Sequence, residues 1–121
     1  MLESPSIEKL DHERLDAYDV AVQLDAAVVA LARKAGHGWL CDQATRASAS
    51  VVLNLAEALG REGLDRARAL RIARGSALEV DAALTLMRHR GACRETEREA
   101  AKRLTVRAVA MLTVMRNRAP V

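Results

Sequence analysis

Four long segments of helical periodicity, separated by glycine-bearing turns, constrain this chain more than any other feature. From Asp11 to Ala35 there is no Gly or Pro, and Asp11 is placed to cap the segment. One apolar stripe is Leu15, Tyr18, Val22, Val29 and Ala32; a second is Ala17, Ala21, Leu24, Val28, Leu31 and Ala35. Their spacings of three and four belong to helix faces. Gly36-His37-Gly38 stops the segment. Asp42 is a candidate cap for a second helix running to Leu59, with Ala44, Ala47, Val51, Leu55 and Ala58 on one face. Gly60 stands where a left-handed terminal residue belongs. The third helix begins near Leu64 or Asp65 and runs to Arg90, with Gly91 as its stop. Thr96 and Glu99 form an S/T-x-x-E capping pattern for a fourth helix. That helix extends to about Arg118, with Ala101, Leu104, Ala108, Met111, Leu112 and Met115 as its stripe.

Helices of roughly 18–27 residues reach about 27–40 Å. Short turns make consecutive helices antiparallel neighbours. The expected fold is therefore all-α: an antiparallel up-down four-helix bundle at residues 11–121, behind a polar tail at 1–10 that contains Pro5. Composition agrees. Six Gly and two Pro are too few for a chain of many β-turns, and the apolar half is Ala, Leu and Val with no Phe. No apolar run approaches the ~20 residues that span a bilayer, which argues against a membrane partner. Glu3, Glu8 and Asp11 lie where a signal peptide carries positive charge. The expected compartment is the cytoplasm, with Cys41 and Cys93 as reduced thiols.

The first helix carries more apolar surface than one core needs. Its two stripes lie about 100° apart and together exceed the single stripe a bundle helix presents inward. Burial against another copy accounts for the excess; a deeply packed helix with a tolerable Ala-rich surface is the alternative. Charge is also uneven. Residues 1–60 hold five basic and nine acidic groups, and residues 61–121 hold fourteen and seven. Arg94, Arg98 and Lys102, and Arg103 with Arg107, form i,i+4 runs that repel in an isolated helix. Phosphates would offset that repulsion, making RNA or DNA a candidate partner, held by its backbone. The alternative is a solvated face with Glu95, Glu97 and Glu99 as local partners. Aromatic residues are not interleaved with these cations, so this pattern offers bases no stacking platform.

Polar residues of the second and third helices line up across their turn. Reflection about its centre sets Arg46 against Glu79, Ser50 against Gly75, Asn54 against Arg71 and Glu57 against Arg68. Close backbone approach at Ser50 would offset the ~1 kcal/mol that a mid-helix Gly costs. These residues read as setting register.

The same residues carry a family resemblance. Gln43-Ala44-Thr45-Arg46-Ala47-Ser48-Ala49-Ser50-Val51-Val52-Leu53-Asn54-Leu55-Ala56-Glu57 resembles the signature of the bacterial four helix bundle protein family. Its members were first noticed as proteins encoded in intervening sequences of large-subunit ribosomal RNA genes. Leu70-Arg71-Ile72-Ala73-Arg74-Gly75-Ser76-Ala77-Leu78-Glu79 is similar to the family's second block. The resemblance marks Gln43, Arg46, Ser50, Asn54, Glu57, Gly75, Ser76 and Glu79 as structural motif residues. It implies a cytoplasmic bundle that assembles as a ring, a pentamer. It also implies kinship with the accessory protein of diversity-generating retroelements, which binds nucleic acid and a reverse transcriptase.

Catalytic patterns are missing from the sequence. It has no Glu-x-x-His pair for a di-iron bundle, no Walker loop, no nucleophile elbow and no His-Glu-x-x-His. The expectation is a protein that is not an enzyme and needs no cofactor. One metal constellation stays open: His37 with Cys41, and His89 with Cys93, would share one end of the bundle, and two His with two Cys suit tetrahedral zinc. A surface His and a half-buried thiol at each turn is the plainer reading.

Overall fold

A computed structural model of the chain describes residues 10, 12, 15–36 and 38–118. Its elements are α1 (Asp16–Ala35), α2 (Trp39–Leu59), α3 (Gly63–His89) and α4 (Glu95–Arg118), and the described residues include no strand. Each helix packs on its neighbours in sequence, and α4 closes the circuit against α1. The result is a four-helix bundle. None of its helices is long and apolar enough to cross a membrane.

The helix starts differ from those expected of the sequence. α1 begins at Asp16, with Leu15 extended before it and no side chain capping it; Asp11 lies outside the described residues. Asp16 and Asp19 instead favour the positive end of the helix dipole. α2 begins at Trp39, so Asp42 falls within its first turn, where its N–H donates to the Gly38 carbonyl at 3.0 Å. In α4 the reciprocal cap is made by Glu97 in place of Glu99. Its Oε1 accepts the Arg94 backbone N–H at 3.0 Å, and its Oε2 accepts Lys34 Nζ at 3.0 Å. The same carboxylate thus caps α4 and meets a cation of α1.

The stops divide likewise. Gly91 adopts φ +74° and closes α3 in a Schellman arrangement. The Ala92 N–H reaches Met87 O at 2.8 Å, and the Gly91 N–H reaches Arg88 O at 3.1 Å. Gly60, in contrast, has φ −89° and is not left-handed. The end of α2 is held by Arg66, whose Nε donates to Ala58 O at 3.0 Å and Arg61 O at 2.8 Å.

Two apolar layers fill the interior. Leu24, Val28, Leu31, Leu84 and Met87 lead the layer nearer the α1–α2 and α3–α4 turns. Val51, Leu55, Leu70 and Leu112 lead the layer nearer the α2–α3 turn. More than half of the buried apolar residues are alanine, which lets the helices approach closely. The second stripe of α1 faces inward as the spacing predicts. Of the first stripe, Ala32 is buried, Leu15, Tyr18 and Val29 are half-buried, and Val22 is exposed.

Every helix contact carries a polar cross-link. Ser48 Oγ donates to Asp25 Oδ1 at 2.8 Å between α2 and α1. The Ser50 and Ser76 hydroxyls meet at 2.7 Å between α2 and α3. Lys102 reaches Asp81 at 2.7 Å, and Arg74 Nε donates to Thr113 at 2.9 Å, between α3 and α4. Lys34 and Glu97 join α1 to α4. Among the described residues no buried side-chain polar atom lacks a partner.

The α2–α3 register is shifted by one residue from expectation. Ser50 meets Ser76, and Gly75 is exposed with no atom within 4 Å of where a Cβ would stand. Close approach within the bundle therefore does not explain this glycine. Gly75 has no positive φ. Gly75→Ala should raise stability by about 0.5–1 kcal/mol in urea denaturation, because alanine restricts the unfolded chain and suits a helix interior. A loss of stability would show that another backbone lies against this position.

Candidate nucleic-acid interface

The five cations proposed on α4 separate into paired and unpaired groups. Arg98 is half-buried and lies 3.6 Å from Glu95, which also binds Arg88 at 2.9 Å. Lys102 is held by Asp81 of α3. These two side chains lie on the α3 side of α4, where carboxylates meet them. Arg103 and Arg107 are exposed, as is Arg94 at the helix start, and none of the three forms an ion pair among the described residues. Protein carboxylates therefore offset Arg98 and Lys102, and Arg94, Arg103 and Arg107 are the part of this basic face left open.

The motif residues of α2 and α3 form a seam whose polar centre is built and whose charged ends are not joined. Asn54 Nδ2 donates to Ser50 O at 2.9 Å and lies 3.0 Å from Ser50 Oγ. Ser76 is buried beside them, and Gln43 is half-buried on the same edge of α2. Arg46 and Glu79 are exposed and form no ion pair among the described residues. Glu57 pairs with Arg61 at 3.5 Å and leaves Arg68 aside, because Arg61 is the nearer cation on its own helix end. Glu57, Arg61, Asp65 and Arg68 line an open polar cleft of about 350 Å³ at the α2–α3 turn.

Of the proposed metal ligands, His37 lies outside the described residues. His89 is exposed; Cys41 and Cys93 are half-buried and pack against the same apolar layer. No group of three or more His, Cys, Asp or Glu able to hold a metal occurs among the described residues. Burial, then the Glu97 carboxylate, pushes the Cys93 thiol above its ordinary value.

Three features were not found by sequence reasoning. Arg66 as the α2 cap had no local signal, since it acts from the next helix. Glu97 was signalled by its place three residues after Arg94, but Thr96–Glu99 fits the capping pattern better. Trp39 was legible as the chain's single Trp, and the structure leaves it 68% exposed.

Fold and surface together define a helical-bundle protein with polar groups spent on joining helices and unpaired arginines left outside. A profile of the 23S rRNA-intervening sequence protein family matches residues 13–114, and the chain belongs to that family. The fold is similar to the crystal structure of a protein with unknown function from the S23 ribosomal protein family of Bacteroides thetaiotaomicron. The TM-score is 0.78 at 18% identity, covering 82% of this chain and 96% of that one. No curated protein shows significant similarity to the chain.

Glu97 supplies a pH-dependent tie in this framework. The Arg94 backbone N–H, then the Lys34 ammonium, hold its carboxyl below the ordinary glutamate value. A carboxylate lowered on folding adds stability above its unfolded value, and that stability is lost as pH falls through the folded value. Wild type should therefore exceed Glu97→Gln in stability at neutral pH. The gap should close in urea melts as pH falls past the ordinary glutamate range; a gap independent of pH would contradict the assignment.

Proposed function

We propose that the protein is a non-enzymatic, oligomeric accessory or adaptor that holds nucleic acid in the cytoplasm through its basic surface. The observation that carries this reading is the exposure of Arg103 and Arg107 on α4 with no carboxylate partner among the described residues. Fourteen basic groups against seven acidic in residues 61–121 place the excess on α3 and α4. Backbone phosphates are the ligand such a surface fits best, and copies arranged around an axis would repeat it. The homo-oligomer is supported by apolar groups left outside: Val22 on α1 is 41% exposed and Leu53 on α2 is 68% exposed. Family resemblance suggests a ring of five.

A second reading, a protein-interaction module, is favoured by a separate feature. Leu78, Val106, Val109 and Ala110 line an apolar groove of about 320 Å³ between α3 and α4.

Filter binding with a mixed oligonucleotide pool decides between them. At ~50 mM salt the wild type should retain strands, and affinity should fall steeply as salt rises. Arg103→Glu combined with Arg107→Glu should weaken binding to all sequences alike and flatten the salt slope by about one unit per lost contact. A wild-type protein that retains neither DNA nor RNA would leave the interaction module as the better account.

A further inference from the structure

Trp39 is the only tryptophan, and it opens α2 with two-thirds of its surface in water. Tryptophan is enriched among residues that anchor binding, because its ring offers a large apolar face. Trp39, Gln43, Arg46 and Ser50 follow the spacing of one helix edge. Ser50 meets Ser76, so that edge is the one beside α3. Three turns from the hydroxyl pair, about 16 Å along the antiparallel helices, Trp39 is level with Met87. Leu86, Arg88 and His89 of α3 and Arg90 just after it are exposed near that level, and the turn at Gly91 leads on to Arg94.

Positive charge is in excess in the segments that meet at this end of the bundle. No carboxylate occurs between Asp25 and Asp42, or between Asp81 and Glu95. The first gap carries Arg33 and Lys34, and the second carries Arg88, Arg90 and Arg94. Carboxylates from the first turn of α4 neutralise part of this charge: Glu97 takes Lys34, and Glu95 takes Arg88 and Arg98. Asp42 shares the α1–α2 groove with Arg33. Arg90 and Arg94 remain exposed with no ion pair among the described residues.

We infer that this end of the bundle binds single-stranded nucleic acid, with an unpaired base stacked on Trp39 and neighbouring phosphates held by Arg90 and Arg94. The inference rests on the nucleic-acid reading above and narrows it to unpaired strands. A duplex hides its base faces in the stack, whereas a single strand offers them to an exposed ring. An exposed indole at the end of the bundle that carries Arg90 and Arg94 suits the alternation of base and phosphate along such a strand. An acidic peptide would answer the charge and leave the ring face uncovered.

Emission from the one tryptophan reports on this site alone. The full chain is titrated at low salt with an oligothymidylate, an oligouridylate of equal length, a duplex of equal length and inorganic polyphosphate. Single strands should quench the emission, while duplex and polyphosphate leave it near its starting value. Trp39→Leu should weaken single-strand binding about ten- to a hundredfold and leave duplex binding unchanged. Trp39→Tyr should retain most of the affinity. Arg90→Glu with Arg94→Glu should flatten the salt slope by about one unit per lost contact. Single strands retained on filters without quenching, and bound equally by Trp39→Leu, would overturn this inference and leave the broader reading standing. Retention of no strand at all would overturn both. Emission that follows protein concentration and ignores oligonucleotide would also overturn it, by placing Trp39 at a contact between copies.

Discussion

Alanine at the helix contacts is the constraint on which the rest of this bundle depends. Ala44, Ala47 and Ala58 of α2 and Ala69, Ala73 and Ala77 of α3 are all buried. Side chains this small set the helix axes close together. They also bury little apolar area per residue, so the core gains less from each contact than a leucine-filled one would. Such an interface is smooth and specifies register weakly. The hydroxyls of Ser50 and Ser76 supply what the alanines cannot, a directional contact that is satisfied at one offset. Asn54 locks the Ser50 side of that contact. The other three helix contacts repeat the arrangement with Asp25–Ser48, Asp81–Lys102 and Lys34–Glu97.

Most of the fold was legible because it depends on periodicity. The α2 stripe and the second α1 stripe face inward where the spacing of three and four puts them, the α4 stripe is buried at Ala101, Ala108 and Leu112 and half-buried at Leu104, Met111 and Met115, and Gly91 ends α3 in the conformation its position demands. What was not legible depends on partners distant in sequence. Thr96–Glu99 is the better local pattern, yet Glu97 makes the cap because α4 begins at Glu95, two residues earlier than that pattern implies, and Lys34 reaches the same carboxylate from α1. Gly60 looked like a left-handed stop, but Arg66 satisfies those carbonyls from α3 and relieves the glycine of that role. The register differs by one residue from reflection about the turn, with Ser50 opposite Ser76 in place of Gly75. Charge complementarity across the seam predicted Arg46–Glu79 and Glu57–Arg68; exposed ends of long side chains hold no such geometry, and Glu57 takes the nearer Arg61.

Carboxylates sort the arginines of this chain by task. Where Asp81, Glu95 and Glu97 face a cation across a helix contact, the pair joins helices. Where no carboxylate pairs with the cation among the described residues, as at Arg90, Arg94, Arg103 and Arg107, the charge is left facing solvent. Sequence alone displays one basic half; the structure divides it into a framework and an exposed remainder. That remainder, and not the total charge, is what the proposed binding of nucleic acid uses.

The narrow core has a further consequence. An interior filled by alanine leaves larger apolar side chains outside: Val22, Leu53, Leu78 and Val106 all stand on the surface. Patches of this kind mark contacts between proteins. In the proposed oligomer these outer faces would close against further copies. Light scattering after size exclusion measures this directly. The account predicts a particle whose mass is several times the 13.2 kDa of one chain and holds on dilution. A monodisperse species of 13.2 kDa at high concentration would contradict it.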